Sequence, residues 1–113
     1  MKYIMKPVLF VILLSLSVNA NSTESKSLTT GEKVFRAYCW GCHHQTSEAF
    51  GPSFQEIANK RDVSEIQGHI VSPKSTYKQL GHKRSVMPAF GEKLSQKELE
   101  LITNFILSYK GNS

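Results

Sequence analysis

Two thiols and an imidazole stand together at Cys39-Trp40-Gly41-Cys42-His43. On a helix, positions i and i+3 share a face. Cys39 and Cys42 can therefore add to two vinyl groups along one edge of a macrocycle, and His43, next in the chain, drops beneath the ring to bind iron. C-x-x-C-H is the attachment signal for c-type haem, and thioether links hold such a group through oxidation or transient unfolding. The same residues could serve as a thioredoxin-type dithiol, but that needs a βαβ context. They could be half of a zinc site completed by His43, His44, His69 or His82. His69 and His82 are thirteen residues apart and make no tight second ligand pair. With two cysteines in all, both inside one motif, no disulfide framework is possible.

Iron bound by His43 has one axial position left. Of the three methionines, Met1 and Met5 lie in an N-terminal segment that reads as removable, which leaves Met87. It sits in Ser85-Val86-Met87-Pro88-Ala89-Phe90, where Pro88 lacks a backbone N–H and stiffens the loop. A stiff loop can hold a thioether against a metal, and Met/His is a standard axial pair for haem. Met87 as a core filler is the plainer reading, but the segment is irregular and carries no helical stripe. His82, in a glycine-preceded loop, and His69 are the competing ligands. His44, beside His43, should point elsewhere on its helix.

These side chains need helices to place them. Gly31 to Cys42 follows Thr29-Thr30, either of which can act as N-cap, and Val34, Phe35, Tyr38, Cys39 and Cys42 recur at helical spacing. Asp62-Val63-Ser64-Glu65 is a capping box that opens a helix towards Val71, which Pro73 stops. Ser75 to Leu80 is a further turn or two, and Gly51-Pro52 and Gly81 mark loops. Ser95-Gln96-Lys97-Glu98 is a second capping box. It starts a last helix whose stripe is Leu99, Ile102, Phe105 and Ile106, with Leu101 beside it, closed by Lys110-Gly111. No stretch alternates with period two, so the fold class is all-α. Its long connections are acceptable if they wrap a cofactor.

The chain has 113 residues. Lys2 and Lys6, the apolar run Pro7 to Val18 broken by Ser15 and Ser17, and Val18-Asn19-Ala20 read as a secretory signal cleaved after residue 20. Its apolar length is short for a membrane span. Residues 21–30 read as a flexible leader and residues 31–113 as one domain. A domain of this size buries only ~60–65% of its unfolded surface, and a large apolar cofactor would remedy a thin core. Beyond the signal the chain has 12 basic and 9 acidic side chains, a net charge of +3. Eight of those basic residues and only three acids lie between Lys60 and Lys97. So modest an excess in an exported chain argues against a nucleic-acid partner. A basic face near Lys74, Lys78, Lys83 and Arg84 that meets an acidic protein is the expected partner surface.

The chain resembles the class I monohaem cytochromes c, with the likeness running from Gly31 to about Tyr109. Gly31 and Phe35 resemble the positions at which that family's first helix crosses its last, and Phe105 resembles the aromatic in the crossing. Gly51-Pro52 is similar to the Gly-Pro after the haem motif. There the proline carbonyl accepts a hydrogen bond from Nδ1–H of the proximal histidine, which implies the same for Pro52 and His43. Met87-Pro88 resembles the distal ligand loop. Tyr77, Lys83 and Arg84 are the candidates for the aromatic or basic group that the family places near the haem propionates. The resemblance implies the small cytochrome c fold, with N- and C-terminal helices crossing and short middle helices and loops around one haem. It implies a soluble monomeric electron carrier, no enzyme; the secretory signal with the haem motif suits a bacterial periplasm, and Phe35, Phe54, Ile57, Val86 and Phe90 are the expected apolar surround. The alternatives are a cytochrome c subunit of a periplasmic dehydrogenase or reductase complex, and a ligand-binding or peroxidatic haem protein with an open sixth site, in which His82 or His69 would be the distal acid/base.

Overall fold

A computed structural model describes residues 28–111. The expected signal segment and most of the expected leader lie outside them. The described chain is helical, without strands. It runs as α1 (Gly31–Val34), a π-turn (Phe35–Cys39), α2 (Phe54–Lys60), α3 (Val63–Val71), α4 (Pro73–Thr76) and α5 (Gln96–Leu107).

Side chains at the helix starts explain where they begin. Thr30 accepts from Lys33 N–H at the head of α1, and Ser53 accepts from Glu56 N–H at the head of α2. Asp62 with Glu65, and Ser95 with Glu98, form complete reciprocal capping boxes on α3 and α5. Each such cap satisfies N–H groups that the helix cannot pair internally. Glu98 does more: its second oxygen accepts from Leu28 N–H at 3.3 Å. The backbone just before α1 is thereby tied to the start of α5. These hydrogen bonds, the Ser95 N–H first, hold the Glu98 carboxyl below the usual range. Pro73 does not merely stop α3; it is the first residue of α4, where its missing N–H costs nothing.

Two details differ from the sequence expectation. The first helix does not run unbroken to Cys42. It changes to π geometry over Phe35–Cys39, with Trp40 N–H reaching Phe35 O at 2.9 Å, and then turns. Tyr38 and Cys42 accordingly lie exposed, while Val34 and Phe35 are buried. Helix α2 was not expected from hydrophobic spacing, although Ser53-Phe54-Gln55-Glu56 carries the S-x-x-E start signal.

The core is Val34, Phe35, Phe54, Ala58, Ile66, Ile70, Phe90, Leu99, Ile102 and Ile106. Its centre is the crossing of α1 over α5. A Cβ on Gly31 would lie 2.5 Å from both Leu101 O and Phe105 Cβ, so only a glycine allows this approach. Phe35 then meets Phe105 at 5.6 Å and Phe54 at 5.1 Å between ring centroids, which joins the π-turn to α2 and α5. Helix α3 is linked to α5 by Gln67 Nε2, which donates to Thr103 Oγ1 at 3.2 Å. Among the described residues no helix is long and apolar enough to cross a membrane. Replacing Gly31 by valine forces backbone displacement at the crossing. We expect a loss of about 1–3 kcal/mol, read as a lowered denaturation midpoint of the haem-loaded protein.

Candidate haem site

The π-turn delivers Cys39 to the edge of the core, and the turn after it is closed by Cys42 N–H and His43 N–H. Both reach Cys39 O, at 3.1 and 3.0 Å. Cys39 is half-buried, Cys42 is exposed, and both are free thiols. Burial, with Cys42 as a smaller contribution, pushes the Cys39 thiol up to about 11. Among the described residues no group of three or more His, Cys, Asp and Glu side chains could hold a metal ion.

His43 is held from two sides. Its Nδ1 lies 2.7 Å from Pro52 O. A proline carbonyl can only accept, so Nδ1 carries the proton and Nε2 presents its lone pair. The ring stacks on Phe54 at 5.7 Å. Gly51 permits the approach, since a Cβ there would lie 2.6 Å from His43 Cε1. The loop is locked by Gly51 N–H to Cys42 O at 2.6 Å, and by Phe54 and Gln55 N–H to His44 O and Gln45 O, both at 2.9 Å. His44 points away and has other work: its Nδ1 accepts from Thr46 and Ser47 N–H.

Met87 is half-buried and packs against the core cluster. Its loop is fastened to α3 by Phe90 N–H to Ile70 O at 3.0 Å. It is also fastened to the motif-bearing segment by the Tyr38–Phe90 edge contact, 5.9 Å between centroids. Ser85, two residues before Met87, has a buried hydroxyl with no partner among the described residues. Of the five residues expected to surround the ring, Phe35, Phe54 and Phe90 are buried and Ile57 is half-buried. Val86 is 67% exposed, so it belongs to the surface. Trp40, between the cysteines, is 69% exposed. Lys83 and Arg84 are exposed as well, and Tyr77 is half-buried. Arg61, which no sequence motif singled out, is half-buried and donates through Nη2 to Leu80 O.

These donors fit haem c: two free thiols on one turn, an imidazole whose far nitrogen is oriented for a metal, a loop-borne thioether, and a buried hydroxyl ready for an acceptor. The chain matches, over residues 26–106, the family described as Cytochrome C oxidase, cbb3-type, subunit III. It is similar to cytochrome c6 of Bumilleriopsis filiformis, at 33% identity over 81 residues, which span 72% of this chain and 90% of that protein. Cytochrome c6 of Pyropia tenera is 36% identical over 81 residues, 72% of this chain and 91% of that protein. Cytochrome c6 of Gracilaria tenuistipitata var. liui is 27% identical over 103 residues, 91% and 92% of the two chains. No solved structure matches the chain at a comparable level. With the helical fold, the C-x-x-C-H turn and these likenesses together, the chain belongs to the class I monohaem c-type cytochromes, carriers of haem c that transfer electrons between redox partners and are not enzymes.

Proposed function

We propose that this chain is an exported carrier of the bacterial periplasm whose iron has both axial positions filled by its own side chains. Cys39 and Cys42 hold the thioether links, His43 Nε2 and Met87 Sδ are the axial ligands, and the Pro52 carbonyl orients His43. The observation that carries the reading is the His43 imidazole fixed by the Pro52 carbonyl; a half-buried thioether on a separate, tethered, proline-stiffened loop supports it. Bound haem supplies a one-electron ferric/ferrous couple. The chain's part is to keep small molecules off the iron, to favour the ferrous state with a thioether and an apolar surround, and to present a surface to partners. Lys74, Lys78, Lys83 and Arg84 are exposed and, among the described residues, form no ion pair. They are available to orient an acidic partner. Cleavage after residue 20 and a monomeric state complete this reading.

A second reading makes the chain a fixed cytochrome subunit of a larger redox complex. The matched family's description as an oxidase subunit favours it. The relatives that pair with this chain over nine-tenths of their own length are small single cytochromes, which favours the free carrier. Co-purification of a stoichiometric partner would decide for the subunit.

The deciding experiment on the axial set is the spectrum of the reduced, haem-loaded protein with and without carbon monoxide. No change is expected for the native chain and a carbonyl spectrum for Met87→Ala; a carbonyl spectrum in the native chain overturns the filled sixth site. Gly51→Ala should push the His43 ring off its bond to Pro52 and lower the yield of haem-loaded protein several-fold, measured as haem absorbance per polypeptide. Transfer to an acidic partner protein should slow as ionic strength rises; rates indifferent to salt would leave the basic face without a steering role.

A further inference from the structure

His69 and His82 come from different parts of the chain, yet their rings lie side by side, 5.3 Å between centroids and tilted by 39°. His69 stands on α3. His82 follows Gly81, whose φ of 83° is the left-handed conformation that favours glycine. His82 N–H then closes onto Tyr77 O at 2.9 Å. The turn is pinned by Arg61, which crosses from the end of α2 to donate to Leu80 O. The pairing is therefore built by the fold.

The tautomer of His69 follows from its neighbours. Thr76 Oγ1 donates to Ser72 O at 3.2 Å. That leaves the hydroxyl oxygen as the acceptor for His69 Nδ1, 2.7 Å away. Nδ1 thus keeps its proton and Nε2 is the basic nitrogen. The charged and titratable groups that act on His69 come from every side: Arg61 from α2, His82 from the Gly81 turn, and His43 from the loop after the C-x-x-C-H turn. On its own helix Glu65 is committed to Arg61 at 3.5 Å. The site holds one guanidinium and one engaged carboxylate, and Ile70, the residue after His69, accepts from Phe90 N–H at 3.0 Å, which fastens the Met87 loop beside the pair.

We propose that His69 and His82 form a proton-binding pair whose occupancy follows the charge on the iron, so that reduction by one electron from a donor protein draws one proton from solvent onto the pair at His69 Nε2. Reoxidation by the acceptor returns the proton to solvent, and no bond other than N–H forms or breaks. This rests on the reading of the chain as an electron carrier and adds a proton to its cycle. Burial first, then His82, Arg61 and His43, already press His69 below the ordinary histidine range. A further positive charge on ferric iron presses the same way, and its removal on reduction relaxes it. Proton affinity is then higher in the reduced protein, so the midpoint potential falls as pH rises through the interval between the oxidised and reduced pKa values.

The test is potentiometry of the haem-loaded protein across about pH 5–8, with His69 titrated by NMR in both oxidation states. Proton binding on the order of tenfold tighter in the reduced state is expected. For a one-electron couple that is a total fall of about 59 mV. His69→Gln, and separately the double variant with His82→Gln, should flatten the profile while the visible spectrum stays that of the native protein. A pH profile unchanged by these variants, or equal His69 pKa values in the two oxidation states, overturns the proposal. Carbon monoxide binding by the reduced native protein would speak against the carrier reading alone, since the potential can still be followed against pH in that case.

Discussion

The approach of α1 to α5 at Gly31 sets the position of everything that follows it in the chain. Two helices rarely come so near that a single methyl group would overlap a carbonyl oxygen, and here the absent Cβ allows it. Because α1 has only four residues before the π-turn begins, it has little stability of its own. Its direction is imposed by α5 and by the Phe35, Phe54 and Phe105 rings. The Cys39-to-His43 turn hangs directly from this short segment, so a loose crossing would leave the thiols and the imidazole unplaced.

Glycine performs a related task twice more, for different physical reasons. At Gly51 the missing side chain makes room for the His43 ring, and the next residue's carbonyl accepts a hydrogen bond from Nδ1–H. At Gly81 the left-handed backbone reverses the chain and carries His82 back over α3. The loops, long for so small a domain, are thus determined by a few close contacts: Gly51 to Cys42, Phe54 to His44, His82 to Tyr77, and Phe90 to Ile70. An electron carrier benefits from such fixed loops, because small reorganisation of the groups around a metal keeps the barrier to electron transfer low.

Charge and apolar surface are distributed in keeping with these roles. The salt bridges of the described residues join Arg36 to Glu32, Lys60 to Glu56 and Arg61 to Glu65. None of them engages Lys74, Lys78, Lys83 or Arg84, whose cations face solvent. Surface pairs of this kind contribute little to stability. The core does that work, and its thinness explains why Glu98 is employed both as a helix cap and as an anchor for the Leu28 backbone.

The sequence alone determined the chemistry and the all-α class, because both are written in short-range patterns. Cys39, Cys42 and His43 are read from spacing, the α3 and α5 starts from reciprocal caps, and the α5 stripe from its period. Tertiary structure decided what depends on neighbours distant in the chain. Hydrophobic spacing along residues 31–42 could not show that the helix changes to π geometry at Phe35. Nor could it show that Tyr38 and Val86 face solvent. Ser53-Phe54-Gln55-Glu56 held a start signal for α2, but its stripe was too short for periodicity to display. The meeting of Arg61, His69 and His82 had no local signature at all, since a turn at Gly81 and a bond to the Leu80 carbonyl bring them together. Local pattern specifies which groups are present and which way a helix faces. Their mutual distances come from long-range packing, which a linear chain does not display.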